Sequence, residues 1–212
     1  FLSLILLILF EKSLRRNLII IFIIFFTSMY IFGNNNETLK LHYSSLVSKS
    51  IQVFDYFNEK YNPTRSGETR ITNTYIKEFE TGIATWKQNK MFGGGIKSFY
   101  YNCAKIGKVN ANLAGCSSHP HNYYVQLAAE LGLIGLLLII ILFLYIIIKT
   151  LSFIFYKNSF DEKKILIPFF ILFLVEIFPF RTTGSFFTTT TATFLFILLP
   201  FIVGLTDLKK VK

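Results

Sequence analysis

The sequence has 212 residues, of which 52% are apolar and only 16% are charged. Soluble domains carry about 25% charged residues, so this composition argues against a water-soluble globule. The net charge of +10 would suggest nucleic-acid binding in a soluble protein, but in so apolar a chain it reflects membrane topology, and we expect no nucleic-acid partner. Because residues 1–10 are almost wholly apolar from the first residue on, we expect the chain to be the C-terminal part of a larger protein.

Five apolar segments are long enough, or nearly so, to cross a hydrocarbon core of about 30 Å as helices. They are residues 1–10, which the start of the sequence cuts short, 18–33, 131–148, 165–180 and 186–205. Residues 131–148 contain no charge, which is rare in buried helices of soluble proteins. The sequence therefore predicts an all-α polytopic membrane protein, a helical transmembrane bundle with a large loop between its second and third spans.

Basic residues between the spans predict their direction, because Lys and Arg in short loops stay on the cytoplasmic side. Residues 11–16, 149–164 and 206–212 each carry a net positive charge. If all three lie in the cytoplasm, the spans alternate in direction without conflict and the C-terminal tail is cytoplasmic. Residues 34–130 then form an outer, periplasmic loop, which is also basic, but long loops translocate largely regardless of charge.

The outer loop has helical patterns of its own. Apolar residues recur at helical spacing within residues 75–90, namely Ile76, Phe79, Ile83 and Trp86. This pattern predicts a short amphipathic helix that lies on the membrane or caps the spans. Residues 39–57 show a weaker pattern of the same kind, which we interpret as a second helix. Glycines 93–95 favour a turn that ends the first helix over a direct role in binding a ligand.

Cys103 and Cys116 are the only two cysteines, and both fall in the outer loop. Disulfides persist in a periplasm, and a bridge across this loop would contribute about 3 kcal/mol in the chain-entropy model. The alternative is a metal site that adds His119 and His121 to the two thiols. Zinc ligands usually come in tight pairs such as Cys-x2-Cys, which this sequence lacks. We therefore favour the disulfide and expect no metal.

The segment 117–124 carries the candidate catalytic group. We predict a helix with Ser118 as its N-cap and Pro120 in its first turn, which places His121 at the membrane surface. The positive end of the helix dipole favours the neutral imidazole, which can accept a proton from a sugar hydroxyl. A purely structural role in the cap is the alternative, and the residues alone leave both open.

Two groups of residues around His121 match the signature of a known family. His121 and Asn122, followed after nine residues by Gly132-x-x-Gly135, resemble the signature of the O-antigen ligase and polymerase superfamily of polytopic bacterial membrane proteins. Trp86, glycines 93–95 and Phe99 are similar to the tryptophan, glycine pair and aromatic residue that precede the histidine in that family. The resemblance covers residues 75–205, and the family's signature lies where a large periplasmic loop enters a span, as the predicted topology also has it.

The resemblance implies a function. It implies an enzyme of the bacterial inner membrane that transfers a glycan from an undecaprenyl-pyrophosphate carrier to an acceptor hydroxyl, without metal or cofactor and with inversion at the anomeric carbon. The acceptor is the lipid A core for a ligase, or another carrier-linked glycan for a polymerase of the same superfamily. His121 matches the base of this reaction. A non-catalytic transport or assembly protein with the same spans is the alternative, but polar residues in mid-membrane would then be expected.

The reaction also needs positive charge to stabilise the departing pyrophosphate, and arginine supplies it well. The outer side holds Arg65, Arg70 and Arg181. The family has an arginine upstream of the tryptophan, and Arg70 is the nearest match, although 15 residues separate it from Trp86. Arg181 follows a span at the outer leaflet, where it either meets the carrier or extends to the interface as a structural anchor.

Four further residues are candidates for binding substrate. Arg65, Asn122 and Tyr124 belong to the outer side, and aromatic side chains there either line a sugar site or anchor the helix at the interface. Glu176 falls within the predicted span 165–180, where a carboxylate is costly and by default functional. It could pair with Arg181, orient another catalytic group, or remain neutral near the interface.

Overall fold

The computed structural model describes residues 2–10, 15–58, 74–109, 116–156, 160–181 and 184–207. These residues form eight α-helices and no strand, which confirms the predicted all-α fold. The chain divides into two compact units, Phe1–Ile76 and Lys77–Lys212.

The first unit consists of three helices that follow one another closely. They are α1 (Leu2–Phe10), α2 (Arg15–Asn35) and α3 (Glu37–Phe57). α1 packs against α2, and α2 against α3. Asn36 separates the last two because it caps α3: its Oδ1 accepts a hydrogen bond from the Leu39 N–H at 3.2 Å. The second helix predicted in the outer loop is thus confirmed as α3.

The second unit contains most of α4 (Thr74–Gln88) and four further helices. These are α5 (Ser98–Val109), α6 (Tyr123–Tyr156), α7 (Phe160–Glu176) and α8 (Thr189–Asp207). α8 packs against α6 and α7, and α5 packs against α6. The amphipathic helix predicted for residues 75–90 is confirmed as α4. The sequence pattern gave no indication of α5.

Aromatic side chains fill the contacts between the last three helices. The Phe169 ring of α7 stacks on Phe201 of α8 with centroids 5.3 Å apart, and Phe143 of α6 meets Phe173 edge to face at 5.6 Å. Phe173 is fully buried. Other faces of these helices carry exposed apolar side chains, including Leu138, Ile141, Tyr145, Phe196 and Ile197. An apolar surface of this extent is typical of a protein that faces lipid.

Three described helices are long and apolar enough to cross a membrane: Arg15–Gly33, Tyr123–Phe155 and Thr189–Asp207. They contain most or all of the predicted spans 18–33, 131–148 and 186–205, so the chain is a helical membrane protein. α7 is shorter, with 17 residues, and ends at Glu176. The helix therefore ends four residues before the predicted span 165–180 does, which places Glu176 at the end of a helix instead of inside one. Crossing by α1 and α7 stays a prediction.

α6 is interrupted at Gly132, whose φ of +71° and ψ of −172° are not helical. The interruption leaves backbone groups of α6 without partners in the helix, and the loop after α4 supplies them. Gly95 donates to the Glu130 carbonyl at 2.9 Å, and Leu133 donates to the Lys90 carbonyl at 2.8 Å. The glycine-rich loop is therefore docked onto α6 by its backbone, which supports the predicted turn over a direct role in ligand binding.

Two glycines at this contact should not tolerate a side chain. Gly93 has a φ of +70°, and an added Cβ would lie 2.4 Å from the Glu130 carbonyl carbon; a Cβ on Gly132 would lie 2.3 Å from the Met91 carbonyl oxygen. Gly93→Ala and Gly132→Ala should each destabilise the protein by about 2–4 kcal/mol, because strain in the left-handed region adds to overpacking. Thermal unfolding of the detergent-solubilised variants should show a midpoint clearly lower than that of the unmodified protein.

Gly204→Ala is the matched control for this prediction. Gly204 lies within α8, and apart from the adjoining residues and the backbone of that helix no described atom lies within 4 Å of the position that a Cβ would take. Alanine has the higher helix propensity, so this substitution should leave the midpoint unchanged or raise it slightly. Equal midpoints for Gly93→Ala, Gly132→Ala and Gly204→Ala would contradict the docked loop.

Candidate active site

His121 lies immediately before α6, and the predicted helix start is wrong by a few residues. Asn122, not Ser118, is the N-cap: its Oδ1 accepts hydrogen bonds from the N–H groups of Tyr124 at 3.0 Å and Val125 at 3.1 Å. His121 has a φ of +52°, a left-handed conformation that turns the chain into the cap. Pro120 accordingly precedes the helix. His121 remains at the amino end of α6, with its side chain 36% exposed.

Glu78 of α4 faces His121. One of its carboxylate oxygens, Oε2, lies 3.7 Å from His121 Nε2, and its side chain is only 8% exposed. Burial raises the pKa of the Glu78 carboxyl above its ordinary value, while the charge of His121 and the Ser117 side chain act in the opposite direction. The structure therefore brings together an imidazole and a buried carboxylate, and the segment that carries the imidazole offsets part of the cost of burying that charge.

Sequence reasoning missed Glu78 because it concentrated on the apolar face of α4. Ile76 on that face is buried and Ile83 is only half-buried, but a second buried face is polar and small, with Thr81 and Thr85 nearly inaccessible. Gly82 allows the close approach, since a Cβ there would lie 2.3 Å from a side-chain methyl of Val125. The sequence does contain a signal for this face: Glu78, Thr81, Gly82 and Thr85 occupy positions i, i+3, i+4 and i+7, which lie on one side of a helix.

The second histidine of the segment lies beside the first. The His119 and His121 rings have centroids 4.3 Å apart. The Ser118 hydroxyl lies 2.8 Å from His119 Nδ1, and the Ser117 hydroxyl donates to the His119 carbonyl. His119 therefore shares the surroundings of His121 but has contacts of its own, which makes it a natural control residue.

Glu176 and Arg181 form an ion pair at the carboxyl end of α7, as one of the sequence alternatives had it. Arg181 Nη1 lies 2.5 Å from Glu176 Oε2, and the Tyr123 hydroxyl donates to Glu176 Oε1 at 2.5 Å. Glu176 is 10% exposed and Arg181 40%. The carboxylate is thus held within the protein, and the guanidinium extends from it toward the surface.

Two residues that were candidates for binding substrate connect the start of α6 to the segment after α7. Asn122 Nδ2 donates to the Pro179 carbonyl at 2.7 Å, and the Tyr124 hydroxyl donates to the Ile177 carbonyl. Both side chains bond to backbone here, and their contact with substrate stays a prediction. The connection holds the His121 segment and the Arg181 segment at the same end of the second unit.

A further polar group inside the second unit was not given a role from the sequence. Gln126 is buried; its Nε2 donates to the Ser185 hydroxyl and its Oε1 accepts from the Phe186 N–H, both at 2.8 Å. Glu130 is also buried and accepts a hydrogen bond from the Lys97 N–H at 2.8 Å. The sequence signal for these two residues is their spacing: Gln126 and Glu130 lie four positions apart at the start of an otherwise apolar helix, and therefore on one face of it.

Both cysteines are free thiols in the structure, so the predicted disulfide is not formed in it. The two side chains are nevertheless neighbours: burial first, and then a hydrogen bond with Cys116, raises the pKa of the Cys103 thiol to about 12. A raised pKa keeps the thiol protonated and slows its oxidation. The pairing of Cys103 with Cys116 therefore stays a prediction.

Non-reducing mass spectrometry of protein prepared from oxidising conditions should detect the Cys103–Cys116 bridge. The physical reason is that the two thiols already interact in the structure, and a disulfide requires such neighbouring side chains. Alkylation under denaturing conditions, with and without reductant, supplies the control. Complete alkylation of both thiols without reductant would contradict the bridge.

Two predicted arginines lie outside the described residues. Arg65 and Arg70 fall in residues 59–73, so their roles stay predictions. Within the parts of the chain that the structure describes, no group of three or more His, Cys, Asp and Glu side chains could hold a metal ion.

The fold and this cluster define a class, a helical membrane protein with titratable side chains gathered at the amino end of a spanning helix. A family model described as O-antigen ligase matches residues 1–140. The chain belongs to this family, which confirms the resemblance drawn from its sequence and associates it with polysaccharide assembly. The match contains Glu78 and His121 but ends before Glu176, whereas the sequence resemblance was drawn over residues 75–205. No curated protein and no solved structure matches the chain.

Proposed function

We propose that this chain is part of a membrane glycosyltransferase for surface polysaccharides such as lipopolysaccharide. It moves a glycan from an undecaprenyl-pyrophosphate carrier to an acceptor hydroxyl, in the manner of an O-antigen ligase acting on the lipid A core. A polymerase of the same superfamily would use another carrier-linked glycan as acceptor. The reaction takes place at the periplasmic face of the bacterial inner membrane, with the C-terminus in the cytoplasm.

A single observation carries the proposal: the His121 segment is tied to the segment that ends in Arg181. Asn122 follows His121 and donates to the carbonyl of Pro179, two residues before Arg181. One end of the second unit thereby has a partly exposed imidazole and a partly exposed guanidinium. These are the two groups that glycan transfer from a pyrophosphate requires, a base and a cation.

His121 acts as the general base. The acceptor hydroxyl gives its proton to the imidazole while its oxygen forms a bond to the anomeric carbon of the donor glycan. The bond between that carbon and the pyrophosphate oxygen breaks, and its electron pair leaves with the pyrophosphate. Attack opposite to the leaving group inverts the anomeric configuration.

Arg181 stabilises the leaving group. Its guanidinium is always charged and can donate two parallel hydrogen bonds to phosphate oxygens. Glu176 holds the side chain by an ion pair, so that the arginine is oriented before the carrier arrives. Arg70, the residue nearest to the family position, is the second candidate for this role.

The proposal is tested with the purified full-length protein in proteoliposomes. A lipid-pyrophosphate-linked glycan is supplied as donor, together with either lipid A core or no further acceptor. We expect release of the carrier pyrophosphate in both the presence and absence of EDTA, coupled to glycan on lipid A core for a ligase or to a longer carrier-linked glycan for a polymerase. Movement of donor across the bilayer without any transfer would contradict an enzyme and support a transport protein.

A further inference from the structure

Glu78 is a buried carboxylate for which the proposed reaction has so far no role. It is 6% exposed, and burying an ionised carboxylate is costly unless a partner compensates. The contacts that offset part of this cost come from the segment 116–122: the Ser117 side chain and the His121 ring. A carboxylate kept in this position faces the base of the reaction.

The rest of the buried face of α4 serves packing. The Thr81 hydroxyl donates to the Lys77 carbonyl at 2.7 Å, and the Thr85 hydroxyl donates to the Thr81 carbonyl at 2.9 Å, so these two side chains bond within their own helix. Gly82 permits close contact with Val125 and Pro120. α4 is thereby set against the start of α6, and the charged group on this face is Glu78.

We propose that Glu78 is the positioning residue of His121. Its carboxylate, 3.7 Å from Nε2, orients the imidazole and stabilises the imidazolium that forms when the base takes a proton. This inference rests on the proposed function and adds to the proposed site a carboxylate paired with its histidine.

The pair works as follows in one turnover. The base must accept a proton, so the reaction starts from a neutral imidazole that faces an ionised Glu78. The proton of the acceptor hydroxyl passes to His121, which gives an imidazolium beside the carboxylate, an arrangement that Coulomb attraction favours in a partly buried site. The proton later leaves to water or to the departing pyrophosphate, and both residues return to their initial states.

Glu78→Gln tests the proposal, because glutamine keeps the shape of the side chain and removes its charge. We expect kcat for glycan transfer to fall about 100-fold, within the range that general base catalysis contributes, while KM for the donor changes little. Glu80→Gln on the same helix is the matched control and should retain full activity. Glu78→Asp keeps the charge and should recover part of the loss. Unchanged thermal unfolding of Glu78→Gln shows that the fold is intact.

The conservative variant separates positioning from a structural defect. Glu78→Asp keeps a negative charge on the side chain that faces the imidazole, so its kcat should lie between those of the unmodified protein and Glu78→Gln, at an unchanged KM for the donor. A kcat of Glu78→Gln equal to that of Glu80→Gln, or equal losses in Glu78→Asp and Glu78→Gln, would overturn the proposal.

The double variant distinguishes this inference from the proposed function. If Glu78 acts through His121, then Glu78→Gln should cost nothing further in a His121→Ala background, because residues that act as a unit are not additive. Full additivity would overturn the positioning role and leave His121 as the base. Retained activity in His121→Ala alone would instead remove the base itself, and with it the proposed function.

Discussion

His121→Ala in the full-length protein should lower kcat for glycan transfer by about 10²- to 10⁴-fold, the contribution that a positioned general base makes. KM for the donor should remain close to that of the unmodified protein, because the proton moves only in the transition state. The prediction follows from a partly exposed imidazole at the amino end of α6 beside a buried carboxylate. Initial rates with a lipid-pyrophosphate-linked glycan in proteoliposomes measure it.

His119→Ala is the control for this variant, since the two rings lie 4.3 Å apart on the same short segment. Both substitutions remove one imidazole from one loop, and damage to the loop should appear in both. We expect His119→Ala to keep most of the activity. Transfer at the unmodified rate by His121→Ala would contradict the base assignment, and an equal loss in both variants would point to the loop instead of the base.

Hydropathy predicted the spans well because a membrane core requires long apolar helices whatever their packing. Three of the five predicted spans lie largely or wholly within helices long and apolar enough to cross. It did not predict that α6 continues from Tyr123 through Gly132 to Tyr156. The interruption at Gly132 depends on hydrogen bonds from a loop about 40 residues earlier in the chain, and no local pattern contains that information.

The amphipathic pattern predicted that α4 is a helix but not which face the protein buries. The pattern placed Ile76, Phe79, Ile83 and Trp86 on one apolar face. Of these four only Ile76 is buried, whereas Glu78 and Thr85 on the polar side of the helix are buried as well. Beside a membrane, apolar side chains can face lipid, so the polar face is available for contact with the rest of the protein.

The candidate site was predictable only in part, because most of its contacts join residues that are far apart in the sequence. His121 was found because it belongs to a recognisable motif. Its partner Glu78 lies 43 positions earlier, and Tyr123 reaches Glu176 across 53 positions. Pairs of this kind arise from the packing of distant helices, so one sequence indicates the members but not the pairing. Glu176 and Arg181 were the exception because they lie five positions apart.

Charge reversal at Arg181 or Arg70 should reduce turnover far more than Arg65→Glu, and for Arg181→Glu we expect a loss of about 10²- to 10³-fold, typical of removing one electrostatic contact to a transition state. The reason is the negative charge that develops on the departing pyrophosphate. Arg181→Lys should recover only part of the rate, because lysine keeps the charge but not the planar fork. Rates with saturating donor measure these effects, and equal tolerance of all three charge reversals would contradict the leaving-group role.

The ion pair with Glu176 provides the sharper test. Removing Arg181 also leaves a carboxylate that is 10% exposed without its cation, which by itself destabilises a protein. Arg181→Gln combined with Glu176→Gln removes both charges, so stability should return toward that of the unmodified protein. If Arg181 stabilises the leaving group, activity should stay low in the double variant even though the fold recovers. If Arg181 only neutralises Glu176, activity should recover together with the thermal unfolding midpoint. Catalytic and structural roles of this arginine therefore predict opposite rates in one and the same protein.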